Sequence, residues 1–277
     1  MIFIKIIKKI LSARDKYFSA TANYLIEDDK YLVDCIFNNG LSKFIAFDIQ
    51  DFKINTLSYI AAMAQPAPCE YRYSGSCQKS TIYSSAYALM IFSLFNETQS
   101  LSNTKRIAWK NYFDSFQNEI DGLFYDKNIE NELFAETDWW GARHLALHLI
   151  KAYASINEKP KYQFIFLKKY YDLIFFKKML DEIDWQNIFS SNDIDNKIMN
   201  IGGLLQYQRD FFNDQEAAKT VLFLQNYLLE KVNPKTGLWG HSDLKLAQEL
   251  SRTVQFAYHL YPLFFYDQIK LDYKNEI

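Results

Sequence analysis

Apolar side chains recur every three or four residues along most of the chain, which is the spacing of an amphipathic α-helix. Only 8 Gly and 5 Pro are present, too few for the many turns of a strand-rich fold. The segment Gln65–Ser80 contains Pro66, Pro68 and Gly75 and is predicted to be a loop. The predicted class is all-α, with helices at Tyr17–Phe37, Ser42–Met63, Thr81–Phe95, Asn103–Ile120, Asp138–Ser155, Lys161–Ile183, Asp195–Phe212, Gln215–Lys231 and Leu244–Tyr266.

Every second helix has a polar stripe in apolar surroundings, represented by Ser84, His144, Asn200 and Gln255. These positions lie roughly 55 to 60 residues apart, about the length of one helical hairpin. The helices between them, such as Lys161–Ile183, are apolar with scattered lysines and suit an outer layer. The pattern predicts one α/α toroid over residues 1–277, in which alternate helices face a central pocket.

Two turns resemble each other in sequence. Phe116–Phe124 and Leu229–Trp239 both pass from a helix end through an Asp- or Asn-containing turn to a glycine, Gly122 or Gly237. Such a glycine is typical of the left-handed residue that ends a helix. An aromatic residue follows two positions later in each copy, where its ring can pack back onto the helix. The similarity supports a repeated hairpin.

These segments resemble the repeats of terpenoid-cyclase and protein-prenyltransferase α/α toroids, in which a helix with an aromatic-Leu pair leads to Gln and then Gly-x-Trp. The likeness covers roughly residues 80–266, and carbohydrate-active (α/α) barrels share the same hairpin architecture. The glutamine of the repeat is absent from the second copy, where Lys231 or Val232 stands. The matching residues are Lys219, Phe223-Leu224, Gly237-Leu238-Trp239, Phe116-Gln117 and Gly122-Leu123-Phe124.

The strongest local candidate for a site is the predicted helix that begins near Asp138. Trp140, His144 and His148 follow at intervals of four and share one helix face, and Glu136 precedes them. Imidazole exchanges protons near neutral pH, so His144, Glu136 and Asp138 are predicted catalytic residues. Trp140 and His148 are predicted to bind substrate. Alternatively, Asp138 caps the helix and the histidines belong to the core.

A second candidate lies on the last predicted helix, where Arg252, Gln255 and His259 form one stripe near Tyr258. Arginine is costly to bury alone, so Arg252 implies an anionic ligand or a buried carboxylate. His259 is predicted to be catalytic, with Arg252, Gln255 and Tyr258 binding substrate. Asn200, on the preceding polar stripe, is a further predicted binding residue.

Two other segments bear on the site. The loop that starts at Trp239 and includes His241 follows a predicted glycine cap, and Trp239 is predicted to bind substrate. The sequence Asp193-Ile194-Asp195-Asn196 resembles the D-x-D-D acid motif of class II terpenoid cyclases. Its last carboxylate is replaced by an amide, so Asp195 is either an acid or a helix cap.

Charge and cysteine content limit the partners and the compartment. The net charge is −2 and the basic residues are scattered, which gives no indication of nucleic-acid binding. Three cysteines without metal-like spacing favour a reduced, cytoplasmic setting, and a Cys69–Cys77 disulfide is the weaker alternative. Histidines at i and i+4 suit zinc, but no Glu follows the first one as in metalloproteases, and a third ligand would have to come from another helix. No metal and no cofactor are therefore predicted.

The first residues, Met1–Leu11, mix apolar side chains with three lysines. The lysines interrupt the apolar stretch that a secretory signal needs. The segment is predicted either to pack on the fold or to contact a membrane surface as a basic amphipathic helix. Nothing in the chain indicates an oligomeric state.

The candidate pocket is rich in His, Arg, Asn, Gln and Trp. Indole rings stack on sugars, directional polar groups bind hydroxyls, and paired titratable groups move protons. The predicted function is an enzyme acting on a carbohydrate or glycan-like, anionic substrate by acid/base chemistry. The alternatives are an isoprenoid cyclase or prenyl-binding toroid, and a non-catalytic scaffold.

Overall fold

The computed structural model describes residues 49–129, 141–188, 194–240 and 247–269. These ranges form α-helices and two short 3₁₀ helices, Glu97–Ser100 and Ile165–Tyr171, and contain no β-strand beyond isolated bridges. The predicted all-α class is confirmed. The α-helices are α1 (Ile49–Met63), α2 (Ile82–Leu94), α3 (Asn103–Asp114), α4 (Ala142–Ser155), α5 (Leu173–Asp181), α6 (Ile194–Phe212), α7 (Gln215–Glu230) and α8 (Ala247–Phe265).

None of the helices in the described part of the chain combines the length and hydropathy needed to cross a bilayer. The segment Met1–Leu11 and the predicted helix Tyr17–Phe37 lie outside the described residues.

Helix boundaries follow the sequence where a local cap defines them. Helix α7 begins as predicted, because the Asp214 side chain accepts the backbone N–H groups of Glu216 and Ala217 at 3.0 and 3.1 Å. The predicted helix Lys161–Ile183 is instead divided into a 3₁₀ helix and α5. The division falls at Asp172, whose carboxylate caps α5.

The described residues form two compact units, and the predicted single domain stays a prediction. The N-terminal unit contains residues 49–116, 126–129 and 151–159. The C-terminal unit contains residues 117–125, 141–150, 160–188, 194–240 and 247–269.

Hydrogen bonds from buried polar groups hold the N-terminal unit together. The Asp126 carboxylate, which is 2% exposed, accepts the first backbone N–H of α2 at 2.7 Å. The Tyr153 hydroxyl donates to Asp114 at the end of α3, also at 2.7 Å. The indole of Trp109 stacks on Tyr71 with ring centroids 5.8 Å apart. These contacts fix the ends of α2 and α3.

Glycines on α6 allow close helix packing in the C-terminal unit. A Cβ on Gly202 would lie 2.8 Å from Leu263 of α8, and one on Gly203 would lie 2.9 Å from Leu147 of α4. Helix α6 therefore contacts both α4 and α8. Phe176 of α5 meets Phe223 of α7 at 5.9 Å, so these two helices also pack together. The candidate site residues of the C-terminal unit lie on these three helices, α4, α6 and α8.

The repeated turn predicted from sequence has the same backbone geometry in both copies, and a third copy follows α1. In each, a backbone N–H donates to the carbonyl five residues ahead at 2.8 or 2.9 Å, and the residue before that carbonyl has a positive φ. The donors are Gln65, Asn118 and Asn233, and the positive-φ residues are Cys69, Gly122 and Gly237, at 66°, 77° and 66°.

Side chains anchor these turns. Gln117 donates Nε2–H to the carbonyls of Gly122 and Tyr162, both at 2.8 Å, and accepts the Tyr162 N–H at 2.9 Å. In the later copy Trp239 packs back as predicted, donating Nε1–H to the Leu228 carbonyl of α7 at 2.9 Å. Gln117 thus anchors its turn to the segment that contains Tyr162.

Candidate functional site

Asp195 lies in the first turn of α6 and is 0% exposed. Two residues seven positions apart on α8 reach it from the same helix face. Arg252 donates Nη1–H to Oδ2 and Nη2–H to Oδ1, each at 2.8 Å. Nδ1 of His259 lies 2.6 Å from Oδ2. The buried carboxylate that Arg252 implied is therefore Asp195.

The electrostatics of this cluster fix the charge on Asp195. Burial raises the pKa of its carboxyl, but hydrogen bonds from His259 and Arg252 outweigh that effect and lower the pKa from 3.8 to about 2. Asp195 is ionised at neutral pH and can only accept hydrogen bonds. The hydrogen in the contact therefore lies on Nδ1 of His259. The other ring nitrogen, Nε2, is then the atom that can exchange a proton.

The predicted stripe on α8 divides into two environments. The side chains of Arg252 and His259 are 15% and 13% exposed and turn towards Asp195. Gln255 is exposed, and Tyr258 is 54% exposed. The rings of Tyr258 and His259 have centroids 5.3 Å apart. An accessible aromatic ring and an amide thus lie on the same helix as His259, the partner of the enclosed Asp195.

The histidines of α4 contact each other, as their spacing of four predicts. The Nε2 atoms of His144 and His148 are 3.3 Å apart, with ring centroids 4.5 Å apart. Both residues are partly exposed. Next to them, the Arg143 guanidinium lies over the Phe166 ring at 4.8 Å.

Two predicted binding residues lie in the core. Trp239 is 0% exposed, and its ring packs against Tyr261 and Phe264 at 5.4 and 6.1 Å. Asn200 on α6 is also 0% exposed. An enclosed indole offers no face on which a sugar could stack. In this structure both residues are therefore part of the packing rather than of an accessible surface.

Four residues singled out in the sequence lie outside the described part of the chain: Glu136, Asp138, Trp140 and His241. Cys69 and Cys77 are free thiols, which excludes the disulfide alternative, and burial raises the pKa of Cys69 to about 11. Within the described ranges no three His, Cys, Asp or Glu side chains group closely enough to hold a metal ion.

A second ionic cluster was not predicted. Asp267, just beyond α8, accepts hydrogen bonds from Arg209 at 2.6 and 3.0 Å, from Gln206 at 3.0 Å and from Gln225 at 2.6 Å. Both glutamines also donate to the Leu263 carbonyl in the last turn of α8. None of these donors titrates near neutral pH, so the cluster stabilises a helix end. The Asp195 cluster differs because it contains a histidine.

The Asp195–Arg252–His259 cluster and the His144–His148 pair are thus the two candidate sites in the described part of the chain, and they rest on geometry and charge. No protein-family model, no curated protein and no solved structure matches the chain.

Proposed function

We propose that the protein is an enzyme that acts on a carbohydrate or glycan-like substrate by acid/base chemistry, with His259 as the residue that transfers the proton. The observation that carries this proposal is the 2.6 Å contact between His259 Nδ1 and the ionised, fully buried Asp195. Histidine is the commonest general acid or base, and its pairing with a carboxylate is a recurrent catalytic arrangement.

Each member of the cluster has a separate role in this chemistry. Asp195 holds the Nδ1 hydrogen and orients the ring, so that Nε2 takes a proton from the substrate or returns one. Arg252 balances the buried carboxylate, which would otherwise be costly to enclose. Both terminal nitrogens of Arg252 bind Asp195, so the first role of Arg252 is to hold that carboxylate in place. We also propose that Arg252 binds an anionic group of the substrate, such as a uronate or a phosphate.

Neighbouring side chains suggest the class of substrate. Tyr258 offers an accessible ring beside His259, and Gln255 offers an amide one helical turn away from it. Aromatic faces pack on the C–H faces of sugars, and amides bind hydroxyl groups. Proton transfer at a sugar carbon or glycosidic oxygen uses two titratable groups, and His144 is the proposed partner of His259.

We also propose that the helices close into an α/α toroid. Three pairs of helices, α1 with α2, α3 with α4 and α7 with α8, are each joined through a turn of the repeated kind. Three of the turns share one backbone geometry, and the polar helix α6 contacts both α4 and α8. If alternate helices of repeated hairpins carry polar stripes, a ring places those stripes around a common interior and buries the apolar faces between the layers.

The proposal predicts the effect of His259→Gln. The purified chain is incubated with neutral, amino and uronate-containing oligosaccharides, and products are followed as new reducing ends, ultraviolet absorbance of unsaturated uronates and NMR of sugar protons. The substitution should lower turnover by about 10²–10⁴-fold, because it removes the proton-transfer group.

Tyr227→Phe is the matched control. It deletes a 2.7 Å hydrogen bond to Asp181, an aspartate that is not a member of the Asp195 cluster. Its cost should be about 1 kcal/mol of stability without a selective loss of turnover. Equal activity of the two variants, once corrected for folded protein by circular dichroism, would show that His259 has only a structural role.

The second candidate is an isoprenoid cyclase-like or prenyl-binding toroid. Its specific support is the position of Asp195, the third residue of D-I-D-N, beside a histidine. Against it, a carboxyl with a pKa of about 2 holds no proton at neutral pH. Isoprenoid diphosphates and neutral polyenes added to the substrate panel distinguish the two, and binding of none of these compounds would favour a scaffold.

A further inference from the structure

The His144–His148 pair on α4 has a geometry that the proposed acid/base chemistry does not require. The two Nε2 atoms are 3.3 Å apart, whereas the ring centroids are 4.5 Å apart. The rings therefore converge on the side of their Nε2 atoms. Both side chains are partly exposed, so a small solute can reach them.

This separation matches the requirement of a transition-metal ion. A tetrahedral ion with bonds of about 2.0 Å to two imidazole nitrogens holds those nitrogens roughly 3.3 Å apart. The regular α-helix already supplies this spacing, since residues at i and i+4 lie on one face. Little rearrangement of the helix backbone is then needed on binding, which keeps the entropic cost low.

We infer that His144 and His148 form a two-nitrogen binding site for a late first-row divalent cation of the Zn²⁺, Ni²⁺ and Cu²⁺ type. Neutral imidazoles are preferred ligands of these ions. The ion replaces the hydrogen bond between the rings, and the hydrogen that one Nε2 held moves to Nδ1 through exchange with solvent. Water completes the coordination. The ion occupies Nε2 of His144, so the proton-transfer role proposed above for His144 belongs to the metal-free chain. This inference departs from the prediction from sequence, which was that no metal binds.

The inference is tested on the full chain with all three cysteines, Cys35, Cys69 and Cys77, changed to serine, which removes the thiols as competing ligands. Isothermal titration with Zn²⁺ or Ni²⁺ should show one site per chain. His144→Gln and His148→Gln should each weaken it at least about tenfold, because each removes one of two nitrogen ligands. Zn²⁺ should raise the Tm of the parent, because an ion that binds only the folded state stabilises it, and should leave the two variants unchanged.

A second measurement needs no substitution at the site. Cu²⁺ bound to the parent should show electron paramagnetic resonance superhyperfine structure from two imidazole nitrogens. The affinity should also fall on acidification, because protons compete for the ligands. Equal affinity of parent and variants, no binding at millimolar Zn²⁺, or a spectrum with a different nitrogen count would each overturn the inference, whatever the activity of His259 proves to be.

Discussion

At the scale of single residues, charge decides the chemistry of the Asp195 cluster. An arginine and an aspartate enclosed together are tolerated only when each satisfies the other, and the two 2.8 Å hydrogen bonds between Arg252 and Asp195 do so. Sequence alone indicated that Arg252 needs an anion, since it lies among apolar residues. It did not indicate which carboxylate, because Asp195 lies 57 positions away on a different helix.

The low pKa of Asp195 predicts how stability depends on pH. Its value falls from 3.8 to about 2 on folding, so the carboxylate stabilises the folded state above about pH 4. That stabilisation is lost as the pH falls from about 4 towards 2. Urea unfolding across this range should show Asp195→Asn destabilised by about 3 kcal/mol at pH 7, because it leaves Arg252 without its partner.

The difference between parent and Asp195→Asn should then shrink below pH 4, where the parent also loses its charge. A difference that stays constant from pH 7 to pH 2.5 would mean that the carboxylate contributes through packing and not through its charge.

At the scale of elements, a helix limit could be predicted where a capping side chain defines it, and not where the following turn does. Asp214 caps α7 with its own side chain, so that boundary could be predicted. The end of α3 could not, because the turn at residues 118–124 takes over the backbone hydrogen bonds that a longer helix would use. Positive φ at Gly122 and Gly237 was predicted, but the same geometry at Cys69 was not, since cysteine rarely adopts it.

The repeated turn predicts different outcomes for two glycine substitutions. Gly122 has φ +77°, and a Cβ there would lie 1.9 Å from the Gln163 carbonyl oxygen. Gly122→Ala should cost roughly 2–4 kcal/mol, from the unfavourable φ and the clash with backbone.

Gly75→Ala is the matched control, because no atom lies within 4 Å of its Cβ. Its effect should stay within about 0.5 kcal/mol. Chemical denaturation of the two variants measures both, and a similar stability for the two would contradict the assigned role of the turn.

At the scale of the whole molecule, the proposed toroid makes its own prediction. A closed ring loses its stability as one body, so segments from the two compact units should open together. Hydrogen exchange of α3 in the N-terminal unit and α7 in the C-terminal unit should give the same global unfolding free energy within about 1 kcal/mol. Exchange of α3 at a much lower free energy, with α7 still protected, would indicate separate domains and not a closed ring.

The sequence by itself determined the all-α class, most of the described helices and the turn that is repeated between them, because periodicity and capping act over a few residues. It also indicated that His144 and His148 share a face, since a helix places i and i+4 together. Only the tertiary structure decided which partners meet: Asp195 with Arg252 and His259, and Trp239 and Asn200 in the core. The physical reason is that contacts between helices join residues far apart in the sequence. A local pattern of apolar and polar residues contains no information about which helices pack together.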